Sequence, residues 1–407
     1  MSKESGDKGR YRDETLLSVL GRNPAANHGV VNPPVYHAST ILHETAAALK
    51  EATFGPREYG KTYYGRYGTP TTFPLQDSIA ELEQGHRTYL FGSGKAAIVA
   101  ALLAFVKSGD HVLMTDSAYG PTRGLANGLL KRMGVETAFY DPCIGAGIAD
   151  LIQGNTNVVV GESPGSITFE IQDFPALAAA AHERGAVLIV DNTWASPLFC
   201  QPLALGADVS IQACTKYIVG HSDAMLGAVT TTEAQVEPVR RIFEELGAAP
   251  GPDDCYLGLR GLRTLSVRLH RHQETGLALA RWFQTRPEVR RVLHPALEDD
   301  PGHALWKRDF SGASSLFGVV LEPVPEPAVD AFLDSLALFG LGYSWGGYES
   351  LALPTYPWKL RDATRWDPAC PLLRIYAGLE DPDDLIADLD RGFEGMAEAR
   401  EGAPPAD

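Results

Sequence analysis

Ile211-Gln-Ala-Cys-Thr-Lys216-Tyr-Ile-Val-Gly-His-Ser-Asp-Ala-Met-Leu-Gly227 places a lysine inside a mostly apolar, small-residue run that begins as a strand. Solvated lysines usually keep charged company on an amphipathic face, yet downstream of Lys216 no acid occurs before Asp223. A lysine removed from water has a lowered pKa, and its neutral amine can condense with a carbonyl to form a Schiff base. The competing reading is a lysine that snorkels at a strand end. The surrounding chain decides between them.

Around this stretch, strands are expected at Thr88–Phe91, His111–Thr115, Thr137–Tyr140, Asn157–Gly161, Val187–Val190, Val209–Ala213 and Gly227–Thr231. Helical patterns such as Pro121–Met133 and Pro175–Arg184 separate most of them. That alternation predicts an α/β fold with a mostly parallel, seven-stranded sheet covered on both faces. Ligands of such sheets bind beyond the carboxyl ends of the strands. Tyr119, Glu162, Asp191 and Lys216 all fall there. Asp191 ends the run Val187-Leu-Ile-Val190, where a carboxylate either keeps a pyridine nitrogen protonated or caps a following turn. A dry amine and an acid on one sheet edge make pyridoxal phosphate (PLP) the cofactor hypothesis.

Upstream, Gly92-Ser-Gly94-Lys95-Ala-Ala opens an apolar helix expected to run through Val106 and to close at Lys107-Ser-Gly109. Strand, glycine turn and helix N-terminus together form a natural phosphate cradle. The sequence is neither a Walker A loop, because Ala follows Lys95, nor a strict GxGxxG, because Ala97 takes the last glycine position. A plain tight turn is the alternative.

Gly29 to Pro70 reads as an extended arm with one helix at Glu44–Ala52. An arm of that composition cannot bury itself and calls for a partner surface. It carries Tyr63-Tyr64-Gly65-Arg66-Tyr67-Gly68, which offers a guanidinium fork to a phosphate and a phenol to a cofactor, or forms a tyrosine-rich turn. Beyond Gly261 a smaller α+β domain is expected. Its helices are Leu262–Thr285, Ala328–Leu338 and one begun by Asp381-Pro382, and its strands are Val289–His294, Ser315–Leu321 and Leu372–Ala377. Arg374 sits in the last strand, where an unpaired guanidinium is costly; a substrate carboxylate or an internal acid would answer it. The division expected is an arm over 1–68 making inter-subunit contacts, a cofactor domain over 69–262 and a C-terminal domain over 263–407. Residues 1–13 are expected to be frayed and Glu398–Asp407 disordered.

Net charge is −16, from 35 basic and 51 acidic residues, which disfavours nucleic acid and anionic membranes as partners. The five cysteines are scattered with no CxxC or Cys/His spacing, so neither a disulfide framework nor a metal site is indicated. The first residues lack the apolar core of a signal peptide, and no run of about 18 apolar residues occurs. The expectation is a cytoplasmic enzyme.

Tyr64-Gly-Arg66, Gly92-Ser-Gly94, Tyr119, Glu162-Ser-Pro, Asp191-Asn-Thr-Trp194, Thr215-Lys216-Tyr, Gly220-His-Ser-Asp223 and Arg374 together resemble the Cys/Met-metabolism group of PLP enzymes with the aspartate-aminotransferase fold, fold type I. The likeness runs from about Gly29 to Phe393. Gln212–Met225, Trp306–Phe310, Tyr343–Ser350 and Gly378–Asp381 are most similar to the bacterial cystathionine β-lyases of that group. The resemblance implies that Lys216 binds the cofactor and moves the Cα proton, that Asp191 pairs with the ring nitrogen, and that Tyr119 stacks on the ring. It implies that Gly94, Lys95 and Thr215 hold the phosphate, joined by Tyr64 and Arg66 from a neighbouring subunit. Arg374 would clamp the substrate carboxylate, with Ser344, Trp345, Tyr119 and Tyr64 shaping its pocket, and Tyr64 and Tyr119 beside the reacting atoms. The implied reaction is α,β-elimination on a small sulfur amino acid, cystathionine, within a homotetramer of active dimers. A γ-lyase, a γ-synthase, a lyase for another cysteine conjugate and a PLP-binding regulator remain open. Two features depart from the pattern: Ala213 stands where many relatives have Ser, and Tyr63 and Tyr67 flank the arm motif.

Overall fold

The computed structural model describes residues 11–401. Its larger sheet holds seven strands, β1 (Arg87–Phe91), β2 (His111–Thr115), β3 (Glu136–Tyr140), β4 (Thr156–Glu162), β5 (Val187–Asp191), β6 (Val209–Gln212) and β7 (Gly227–Thr231), in the order β1-β7-β6-β5-β4-β2-β3. Strands β2 to β6 run parallel, while β7 is antiparallel to both β6 and β1. This is the mostly parallel, seven-stranded sheet that the sequence predicts. Two-sided burial explains why the central strands β4 and β5 read as nearly unbroken apolar runs. Val159, Leu188 and Val190 feed one core, while Val158, Val160 and Ile189 feed another on the opposite face.

A second, four-stranded antiparallel sheet follows, made of β8 (Val289–Leu293), β9 (Leu316–Leu321), β10 (Leu351–Thr355) and β11 (Leu372–Tyr376), ordered β10-β11-β9-β8. It packs with the helices Leu265–Gln284, Glu326–Asp334 and Pro382–Glu401 around a separate core that includes Phe283, Phe317, Phe332 and Leu389. Strand β10 has no counterpart among the sequence expectations because Pro354 interrupts it. A proline is admitted there because β10 is an edge strand.

Several helices differ from expectation. The helix begun at Gly94 ends at Leu103 rather than Val106, and Gly109 turns the chain at φ +91° just before β2. The segment expected as one helix over Pro121–Met133 is α-helical only over Gly120–Leu125 and continues as a π-turn at Ala126–Leu130, with Gly124 and Gly128 in this stretch. The long helix begins at Leu265, and a separate helix, Pro252–Leu262, precedes it. Glu398 to Glu401 extend the closing helix instead of fraying. The rest of the expected tail, 402–407, and residues 1–10 of the expected frayed start lie outside the described residues; Asp13–Val19 is helical. In the arm, Ala46–Phe54 is helical, capped by Thr45 accepting from Ala48 N–H, and buries none of its side chains.

Candidate active site

The carboxyl ends of β2, β4, β5 and β6 open onto a cavity of about 210 Å³. Lys216, Asp191, Tyr119, Gly94, Lys95, Thr215, Trp345 and Arg374 all line it.

At one end stands the N-terminus of the helix Gly94–Leu103. The Ser93 side chain accepts from Ala96 N–H at 3.1 Å, and the Ser93 carbonyl accepts from Ala97 N–H. Among the described residues nothing accepts from the amides of Gly94 and Lys95, which is the donor pattern an anion needs. Gly94 is obligatory for space: a Cβ there would lie 2.5 Å from the Ala213 Cβ and 2.9 Å from its Cα.

Asp191 closes β5. Its Oδ1 accepts from Thr193 N–H at 3.0 Å and from Thr193 Oγ1 at 2.5 Å, leaving Oδ2 to a further donor. Thr193 Oγ1 in turn accepts from Ala213 N–H at 2.9 Å, tying the ends of β5 and β6 together. Burial pushes the Asp191 carboxyl up, opposed by the Thr193 bonds and the charge of Lys216. An acid whose charge is costly where it sits gains from a cationic partner.

Lys216 donates from Nζ to Ser344 Oγ, and its Nζ lies 5.2 Å from the Trp345 ring centroid. Burial first, then the Arg374 guanidinium, lower its pKa to about 8, while Asp191 pulls the other way. Ser344 adopts φ +82°, the left-handed region, which marks the Ser344–Gly347 turn as held by its surroundings. Trp345 packs on Tyr217 with centroids 5.4 Å apart.

Tyr119 is half-exposed toward the cavity, and its backbone N–H donates to Glu162 Oε2 at 2.7 Å. Burial, then the Asp191 charge, push Glu162 well above the ordinary carboxylate range. Arg374, on β11, donates to the carbonyls of Ser344 at 3.1 Å and Gly342 at 3.4 Å. Among the described residues no carboxylate pairs with it, so its charge is free for a ligand.

Tyr64 and Arg66 do not line this cavity within the chain. Arg66 donates to the Glu244 carbonyl at 3.2 Å and to the Tyr67 hydroxyl at 3.0 Å. The Tyr64 hydroxyl accepts from Ser39 Oγ at 3.3 Å. From the sequence, Thr193 belongs only to an apolar, hydroxyl-bearing wall after Asp191; its bonds to Asp191 and Ala213, and the wall formed by Ser166 and Ile167, were not foreseen. The hydroxyl directly after Asp191-Asn was the one local signal for Thr193; the wall of Ser166 and Ile167 had none.

Uncommitted amides, a low-pKa amine, a buried acid and an unpaired guanidinium in one cavity fit PLP and an amino-acid substrate. No helix among the described residues is long and apolar enough to cross a membrane. Residues 14–394 match the family described as Cys/Met metabolism PLP-dependent enzyme. The chain is 49% identical over 385 residues to a putative cystathionine β-lyase of Rhizobium johnstonii, covering 93% of this chain and 95% of the relative. It is 44% identical over 386 residues to the cystathionine β-lyase MetC of Escherichia coli, covering 93% and 98%. The crystal structure of metB from Corynebacterium glutamicum is similar with a TM-score of 0.87 at 32% identity, over 96% of this chain and all (100%) of that one.

Proposed function

The chain belongs to the Cys/Met metabolism PLP-dependent enzymes, and on that premise we propose that it is a carbon–sulfur β-lyase. It converts cystathionine and water to homocysteine, pyruvate and ammonia. The observation that carries the reading is the meeting of Lys216, Asp191, the Gly94–Lys95 amides and unpaired Arg374 in one cavity. Its relatives named cystathionine β-lyase supply the substrate.

PLP, when bound, supplies the electron sink for the charge left at Cα as its proton departs. The places of the side chains around the cavity support the following roles. With PLP bound, the Gly94 and Lys95 amides would hold the phosphate, joined by the Thr215 hydroxyl once it turns from the Leu226 carbonyl, to which it donates at 3.2 Å. Asp191, oriented by Thr193, would keep the ring nitrogen protonated. Tyr119, which lines the cavity, would stack on the ring and exclude water from it. Arg374 orients the substrate through its carboxylate. Lys216 Nζ, neutral in good part near pH 8, takes the proton from Cα and returns it to the departing thiolate. Ser344 Oγ holds that amine in place, and Trp345 limits its sweep, which favours elimination at Cβ over the further proton transfer that γ-chemistry requires.

Tyr64 and Arg66 would reach the phosphate of a neighbouring subunit. Supporting this is an arm whose Val30, Val31, Leu42 and Phe54 are uncovered in the single chain. We read the protein as a cytoplasmic homotetramer of active dimers, with an arm over 1–68, a cofactor domain over 69–262 and a C-terminal domain over 263–407. The separate core of the smaller sheet supports that last division.

Keto-acid identification after incubation with cystathionine tests the function. Pyruvate is the expected product; 2-oxobutyrate would overturn the reading in favour of γ-elimination.

A further inference from the structure

The segment joining β10 to β11 crosses from the small sheet to the large one and grips it with charged groups. The buried Asp116 carboxylate, just beyond β2, accepts from the N–H groups of Asp362 at 2.9 Å, Ala363 at 3.0 Å and Thr364 at 2.8 Å, and from Thr364 Oγ1 at 2.8 Å. Arg123 donates to the Asp116 carbonyl at 3.0 Å, to its Oδ1 at 2.9 Å, and to the Asp362 carboxylate. Arg361, whose side chain is 4% exposed, donates from Nη1 to the Asp116 carbonyl. From Nη2 it donates to Thr168 Oγ1 and, at 3.3 Å, to the Ser166 carbonyl; Glu170 Oε2 lies 3.9 Å away.

The acceptors matter more than the charge. Asp116 begins the segment that carries Tyr119 into the cavity, and Ser166 itself lines the cavity. Ser166 N–H also donates to the Ser117 carbonyl at 2.8 Å, so the two walls already touch. A guanidinium fork fixes the directions of two main-chain carbonyls at once, which neither a lysine nor an apolar side chain can do. A buried ion network contributes little net stability compared with well-packed apolar residues, but it specifies geometry where its partners are main-chain groups. The fork is borne on the segment leading into β11, the strand of Arg374. Arg361, Arg123 and Asp116 do not themselves line the cavity.

We infer that Arg361 is a positioning residue: by fastening the Asp116 and Ser166 carbonyls to the β10–β11 segment, it sets the spacing between the Tyr119 wall and the Arg374 carboxylate clamp. This rests on the roles given above to Tyr119 and Arg374. It would show in how a bound amino acid is held more than in the chemical step.

The test uses the full-length holoenzyme with Arg361→Gln and Arg361→Lys. Glycine, which has an amine and a carboxylate but no leaving group, is titrated against the absorbance of the bound cofactor. KM and kcat for cystathionine and the thermal midpoint are measured alongside. Both variants are expected to weaken glycine binding and raise KM by about tenfold, with kcat within about threefold of wild type. Lysine, despite its charge, gives no rescue. A folded variant with a lower thermal midpoint but glycine affinity and KM within about twofold of wild type would reduce Arg361 to a structural role and overturn the inference. Should Arg361→Gln not fold, Thr168→Val removes one acceptor of the fork and decides the question by the same readouts. If the wild-type enzyme binds glycine but leaves cystathionine intact, the proposed reaction falls while the glycine titration still judges Arg361.

Discussion

Gly346 rests directly on Lys216: a Cβ at Gly346 would come within 2.8 Å of both the carbonyl carbon and Cα of Lys216. Gly346 also sits at φ +90°, which L side chains rarely adopt. The turn that carries Ser344 and Trp345 is thereby pressed against the backbone of the reactive lysine. Gly346→Ala is expected to cost about 1–3 kcal/mol of stability. It should also weaken PLP retention by about tenfold, since Lys216 and Ser344 are pushed apart. Dialysis followed by absorbance measures this; undiminished retention would detach the turn from the cofactor site.

Loading of cofactor-free protein should report the lowered pKa of Lys216. Only the neutral amine attacks an aldehyde, and burial brings Lys216 to about 8. The sign is that loading accelerates as pH rises and levels off above that value. At pH 7 the rate should be about tenfold below its plateau. Stopped-flow mixing with PLP across pH 6 to 10 gives the midpoint, and a rate still climbing at pH 10 would mean an ordinary, solvated lysine.

Thr193→Val removes the hydroxyl that joins Asp191 to the Ala213 amide. One buried carboxylate contact and one amide partner are lost, at a cost of about 1–3 kcal/mol. Because Asp191 loses its orientation, kcat should fall more than KM rises. A variant that is merely less stable, with kcat unchanged, would show that Thr193 supports the strands and not the acid.

Arg374→Lys keeps a positive charge but not a planar fork. KM for cystathionine should rise by about tenfold or more, while the absorbance of bound PLP persists. Lost cofactor with unchanged KM would move Arg374 from the substrate to the cofactor.

Arg66→Ala should lower PLP retention if the arm serves a neighbour. Mixing Arg66→Ala chains with Lys216→Ala chains then offers a sharper measurement. In a mixed dimer one site receives an intact lysine and an intact arm arginine, and activity should reappear. No recovery in verified mixed dimers would confine Arg66 to its own chain, where it donates to the Glu244 carbonyl.

The strands of the large sheet were legible because helices bury both faces, leaving runs such as Val158-Val-Val160 with no polar alternation. Lys216 and Asp191 stood out by interrupting that pattern at strand ends. The helix Val236–Glu245 escaped notice because only Val239 and Phe243 among its residues are buried, in a segment dominated by charge. Asp116 and Arg361 gave no local signal at all. Their meeting depends on how two sheets are brought together across 245 positions of chain, and no periodicity encodes that.

Both margins of the small sheet are guarded. Pro354 removes an amide from β10 on one side, and β8 exposes Arg290 and Arg291 on the other. A stray strand approaching either margin meets a missing donor or a pair of like charges, so this sheet resists growing by addition. What the small sheet offers a neighbour at these margins is therefore side chains more than an open ladder.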